Sequence, residues 1–139
     1  MTKNLKKRRM PMPSWQEYKK IAKSRGALAL ELYVVESTPT GSPELLKSTL
    51  PSHLDYQMEM EARGALVLAG PMSDDSGELM EGCGLIVYRA GSFEEARSFA
   101  EADPMHQADA RSFTLRRWLV NEGTLNVTLS LSGQQGIFS

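Results

Sequence analysis

Between residues 27 and 120 the hydrophobic pattern alternates between a period of two and a period near four, and this order constrains the fold most. "ALALELYVVE" (27–36) sets Leu28, Leu30, Leu32 and Val34 against Ala29, Glu31, Tyr33 and Val35. Period two with β-branched and aromatic residues predicts a strand. "STPTGSP" (37–43) is a loop by composition. Over 43–63, Leu46, Leu50, Leu54 and Met58 recur at helical spacing, and Gly64 is the stop. Pro51 cannot donate a backbone hydrogen bond, so this helix is expected to break and restart there. "ALVLAGP" predicts an inner strand, "MSDDSGELMEG" a polar loop and "CGLIVYRA" a third strand. "SFEEARSFAEAD" carries a capping box, Ser92 with Glu95, and the stripe Phe93, Ala96, Phe99, Ala100. Pro104 ends that helix, and "RSFTLRRWLV" is the fourth strand.

Strand, helix, strand, strand, helix, strand is an α+β order, the ferredoxin-like split βαβ pattern. Both helices then lie on one face of the sheet, and the other face is bare. Two such sheets packed face to face would make a homodimer. A helix is predicted ahead of this domain: Ser14 caps "SWQEYKKIAKSRG", Glu17 completes the box and Gly26 stops it. Behind it, "TLNVTLSLS" alternates Leu125, Val127, Leu129 and Leu131 with polar residues and predicts an extra C-terminal strand. Its oily face needs a cover, either a neighbouring subunit or the same chain. The expected organisation is a disordered basic tail (1–13), one domain with its N-terminal helix (14–122) and a strand extension (123–139).

The 139 residues suit one domain. A net charge of −1 gives no basis for attraction to nucleic acid or anionic membrane. One cysteine, Cys83, excludes an intrachain disulfide; with only two histidines it argues against a dedicated zinc site, so no metal is expected. No apolar run approaches the roughly 20 residues of a membrane span. The basic start lacks the apolar segment of a secretory signal, and a cytoplasmic location is expected. Neither a phosphate loop nor a dinucleotide fingerprint is present, nor a nucleophile signature. Cys83 reads as a packed strand residue, Glu59 and Glu61 as solvated, and Met58 and Met60 as core fillers.

The candidate chemistry lies elsewhere. In the first turn of a restarted helix, His53 would meet the positive helix end, which favours a neutral ring, a usable general base. A capping or partly buried histidine is the plainer reading. Asp103 stands at a helix C-terminus, where negative charge is unfavourable, and so requires a turn hydrogen bond, a cationic partner or a task. His106 could be that partner or face a ligand itself. Arg111 opens the last strand and could hold a carboxylate or phenolate by a forked hydrogen bond. A solvated turn is the alternative for the whole group. Gly70 and Pro71 set the direction in which the loop leaves its strand; Pro71 and Met72 are candidate substrate contacts with Arg111.

These residues carry a resemblance. The Pro51-x-His53-Leu54 run, the helix-ending Gly64, "LAGP" at 68–71, "SFEEA", "ADP" at 102–104 and a closing strand ending in Trp118 resemble the YCII-related family. The likeness spans roughly residues 27–120. It implies a dimeric α/β-barrel fold, shared with muconolactone isomerases and cofactor-independent monooxygenases. It also implies that His53 and Asp103 match the family's His–Asp pair, taken as its active site. "DPMH…ARSF…RRWLVNEG" further resembles a branch that includes chlorohydroxyquinol dehydrochlorinase. Residues 1–26 fall outside the common pattern.

The resemblance implies acid–base chemistry on a small aromatic-derived substrate, without cofactor, through His53 and Asp103; His106, placed three residues after Asp103, is the third catalytic candidate on spacing alone. A lactone isomerase would use the same groups. A dimeric small-ligand-binding protein would keep the pocket without chemistry. An RNA-binding sheet is disfavoured, because the strand "CGLIVYRA" offers only Tyr88 and Arg89.

Overall fold

The computed structural model describes residues 11–138. In chain order the elements are α1 (Trp15–Ser24), β1 (Leu30–Pro39), α2 (Pro43–Ala62), β2 (Leu66–Ser73), β3 (Met80–Tyr88), α3 (Phe93–Ala102), α4 (Pro104–Gln107), β4 (Arg111–Val120), β5 (Val127–Ser130) and β6 (Gln135–Phe138). They form two compact units, residues 31–118 and the described residues of 1–30 with 119–139.

In the larger unit the strands stand in the order β2-β3-β1-β4. Both β1 and β2 run antiparallel to β3 between them, so they are parallel to each other across it. This is the expected α+β, ferredoxin-like arrangement. The register pairs Tyr33 with Tyr88, Val35 with Ile86 and Ser37 with Gly84, which puts these residues on one face. That face packs against Met60 of α2 and Ala96 and Ala100 of α3, and the two alanines allow close approach. Fully burying a side chain such as Val35 or Met60 contributes roughly 1.5–3 kcal/mol.

Helix α2 departs from expectation. It runs unbroken from Pro43 to Ala62 with Pro51 inside it. Proline there removes the bond to the Lys47 carbonyl, but both residues face water, which can take that bond. Ser42 caps one end, and contacts beyond Pro51 hold the other. The four-spaced stripe is not the core face either: Leu50, Leu54 and Met58 are exposed. Met58 therefore fills no core gap, at 66% exposure, whereas Met60 is fully buried. His53, Tyr56 and Met60, spaced by three and four, face inward instead.

Three further boundaries differ. β1 continues to Pro39, β2 to Ser73, and β3 begins at Met80, so the loops are shorter than their composition suggests. Backbone ladders such as Ser37 with Gly84 and Ser73 with Met80 form regardless of side-chain polarity. Pro104 does not only end a helix; it opens α4, as proline readily does at a first helical position.

In the smaller unit, α1 has the expected capping box, with Ser14 and Glu17 bonded reciprocally at 3.0 and 3.2 Å. The single long C-terminal strand is instead a hairpin. β5 pairs with β6, Val127 with Phe138 and Leu129 with Gly136, around a turn in which Gln134 has φ +51. The strand thus finds a partner in its own chain, while Leu129 and Phe138 stay exposed. Residues 1–10 of the expected basic tail lie outside the described residues. Among the described residues, no helix is long and apolar enough to cross a membrane.

Candidate functional site

The sheet register sets Ser37, Gly84 and Pro71 in one row across β1, β3 and β2. Gly84 carries no side chain there, and a Cβ would stand 3.3 Å from the Gly70 carbonyl oxygen. Helix α2 contributes Leu50, His53, Leu54 and Gln57 to the same space, α4 contributes Met105 and β4 contributes Arg111. Together they border a cavity of about 330 Å³, which also meets Met80 and Cys83. Its walls are mostly apolar, with polar groups at a few points, the usual make-up of a small-molecule site.

On one wall, Nδ1 of His53 lies 2.8 and 2.9 Å from the two carboxylate oxygens of Asp103. The Asp103 side chain is fully buried and that of His53 is 15% exposed. An ionised carboxylate only accepts, so Nδ1 carries the hydrogen and a neutral ring keeps its lone pair on Nε2. The helix-end argument for His53 falls away, because His53 sits mid-helix and a helix terminus acts over about one turn. Asp103 does the orienting instead.

The geometry also explains the charge at the end of α3. Asp103 is the C-cap of α3 and the N-cap of α4 at once, and its Oδ1 accepts from the Met105 N–H at 2.9 Å. The unfavourable terminus is offset by the next helical turn and by His53.

A second polar chain lies at Ser37. Arg111 donates from Nε to the Ser37 hydroxyl at 2.8 Å and from Nη2 to the Ser37 carbonyl at 2.7 Å. Nη2 also donates to the Gly82 carbonyl. Gly82 has φ +92, and a Cβ on it would stand 2.9 Å from the Pro39 ring, so only glycine suits this position. The Ser37 hydroxyl lies 2.8 Å from Nε2 of His106, whose Nδ1 lies 2.7 Å from the Ala100 carbonyl oxygen. A carbonyl accepts, so Nδ1 carries the hydrogen. Burial holds the His106 pKa below its ordinary value, and burial lowers that of Arg111 too.

Two tyrosines lie behind Asp103. Tyr56 donates to the Phe99 carbonyl at 2.7 Å, and burial together with the Asp103 charge pushes its pKa up to about 12. Burial also raises that of Tyr88, whose hydroxyl is enclosed without a partner among the described residues. Neither releases a proton near neutral pH.

Of the six residues singled out from sequence, His53, Pro71 and Arg111 border the cavity. Asp103 stands behind His53, and His106 stands behind Ser37 without bordering it. Met72 lies instead along a separate shallow depression with Ser73 and Gly77. The fork of Arg111 formed by Nε and Nη2 is already bonded to protein. Ser37, Gln57 and Met105 were missed, and Cys83, read as packed, borders the cavity. Ser37 lay in a stretch that composition reads as loop; its only signal was proximity to a strand end. Among the described residues no group of three or more His, Cys, Asp or Glu side chains could hold a metal ion.

No curated protein matches the sequence. Among solved structures, the 5-chloro-2-hydroxyhydroquinone dehydrochlorinase TftG from Burkholderia phenoliruptrix AC1100, in complex with 2,5-dihydroxybenzoquinone, is similar in fold. The TM-score is 0.51 at 23% identity, covering 63% of this chain and 92% of that one. The model of the YCII-related domain matches residues 30–119, and the chain belongs to that family.

Proposed function

We propose that this protein is a cofactor-independent enzyme performing acid–base chemistry on a small oxygenated ring, with dehydrochlorination of 5-chloro-2-hydroxyhydroquinone as its reaction. The observation that carries the reading is the oriented His53 on the cavity wall with a fully buried carboxylate behind it. The fold shared with TftG supports the ring as ligand class.

The chemistry needs only proton transfers. His53 Nε2 accepts the proton of the phenolic oxygen beside the C–Cl carbon. It returns a proton to that carbon, which becomes tetrahedral. A second phenolic O–H bond then breaks as chloride leaves with the C–Cl electron pair, giving hydroxybenzoquinone. The sum is loss of HCl with no external oxidant. Asp103 holds the His53 tautomer and stabilises its imidazolium, and Arg111 steadies the oxyanion. Pro71 forms part of the apolar wall, and His106 acts through Ser37 rather than on the ring.

We propose the sheet face opposite the helices as a homodimer interface: it carries Val34, Leu85 and the half-exposed Trp118 around the buried Val87, with Arg116 beside them. The domain limits (14–122, then an extension) and a cytoplasmic setting complete the reading.

Formation of the quinone chromophore from 5-chloro-2-hydroxyhydroquinone under anaerobic conditions tests the function. The parent should accelerate it and His53→Ala should not. A parent that leaves the spontaneous rate unchanged while binding 2,5-dihydroxybenzoquinone would make the protein a ligand binder.

A further inference from the structure

We propose that Ser37 is a positioning residue of this site: it holds Arg111 so that one guanidinium nitrogen, Nη1, is left to seat a single anionic oxygen of a ring ligand. The ligand class rests on the function proposed above; the positioning rests on geometry alone.

Arg111 has five N–H donors on three nitrogens. Nε and Nη2 are bonded to the Ser37 hydroxyl, the Ser37 carbonyl and the Gly82 carbonyl, so Ser37 supplies two of the three anchors. Nη1 has no partner among the described residues, and Arg111 borders the cavity. The donor edge that usually grips a carboxylate by two parallel bonds is therefore occupied. What remains favours one phenolate or enolate oxygen over a bidentate carboxylate.

The direction of the Ser37 hydroxyl is fixed as well. Nδ1 of His106 faces a backbone carbonyl and must donate to it. The ring is buried, Asp103, His53 and Arg111 are the titratable groups near enough to act on it, and in its neutral form Nε2 can only accept. Ser37 therefore gives its single hydrogen to His106 and presents a lone pair to Arg111 Nε. The Ala100 carbonyl thus sets the polarity of a chain that ends at the cation. Ser37 borders the cavity and faces His106 as a serine nucleophile would face its base, but its oxygen also accepts from the Arg111 cation, which lowers its nucleophilicity.

The test uses the full chain, with titrations of 2,5-dihydroxybenzoquinone, which is anionic near neutral pH, and of neutral hydroquinone. Ser37→Ala should weaken the anionic ring about tenfold or more, the usual effect of losing a charged hydrogen bond, and leave hydroquinone within about twofold. Ser37→Thr, which keeps the hydroxyl, should recover most of the loss. In turnover the loss should fall on kcat as well as kcat/KM, because the oxyanion that Arg111 steadies forms only as His53 takes the phenolic proton. Equal losses for both rings, or none, would overturn the assignment, as would covalent capture of Ser37 by an aryl sulfonyl fluoride. If the parent binds neither ring, the proposed function fails. The role of Ser37 is then read from the Arg111 Nε–H resonance: slow exchange in the parent and its loss in Ser37→Ala support positioning, and its persistence contradicts it.

Discussion

The Asp103 carboxylate reaches across fifty residues of sequence to Nδ1 of His53, meeting it at 2.8 and 2.9 Å while also capping α4 through the Met105 N–H. One buried side chain thereby orients the candidate base and begins a helix. The two tasks separate on substitution. Asp103→Asn keeps a good cap, but its amide donates toward Nδ1 and so moves the His53 hydrogen to Nε2. Turnover should fall about 10²–10⁴-fold with the melting temperature little changed. Asp103→Ala should lose activity and also about 1 kcal/mol or more of stability through the lost cap. Full turnover by the amide variant would remove the orienting role.

His106 makes stability depend on pH. Its folded pKa lies below the ordinary 6.5 because the ring is buried. Above 6.5 both folded and unfolded states hold it neutral, and its contribution is complete. As pH falls below 6.5 the unfolded chain takes up the proton first, so stability is lost on acidification. Urea midpoints between pH 7.5 and 5.5 should therefore drop more steeply for the parent than for His106→Gln. Equal slopes would show that the buried ring does not set the dependence.

Gly82 serves Arg111 through its backbone. At φ +92, with the Pro39 ring 2.9 Å from where a Cβ would stand, Gly82→Ala should cost about 1–3 kcal/mol and shift the carbonyl that receives Nη2. Chemical denaturation gives the stability, and 2,5-dihydroxybenzoquinone affinity should fall with it. An alanine variant as stable as the parent would mean that the strand end tolerates the change.

The proposed dimer interface is tested at Trp118. Trp118→Glu places a charge beside Val34, Leu85 and Val87 and should turn a dimer into a monomer by light scattering at micromolar concentration. A variant that remains dimeric would move the interface elsewhere.

The alternation of periods made the sheet and its two main helices legible, but not which set of β1 turns toward the helices: Tyr33 and Val35 do, with Ile86 and Tyr88, while Leu28 and Leu30 stay exposed. Patterning misled where tertiary contacts decided. Leu50, Leu54 and Met58 form a tidy helical stripe, yet α2 turns His53, Tyr56 and Met60 inward, because the sheet meets it on that side. Asp103 was legible as an anomaly, a carboxylate at the wrong end of a helix, but its histidine partner is His53 from α2 rather than the neighbouring His106. Ser37 was illegible: no local signal shows that a serine in a Thr/Pro/Gly-rich stretch continues a strand and meets Arg111 from 74 residues away. The C-terminal hairpin was missed because the turn at 131–134 interrupts an alternation that reads as one strand.

Chloride release from 5-chloro-2-hydroxyhydroquinone by the purified protein, beside His53→Ala, tests the central claim most directly. The account predicts release well above the spontaneous rate for the parent and a loss of about 10²-fold or more for the variant. Release at the spontaneous rate by both, or equal catalysis by both, would contradict it.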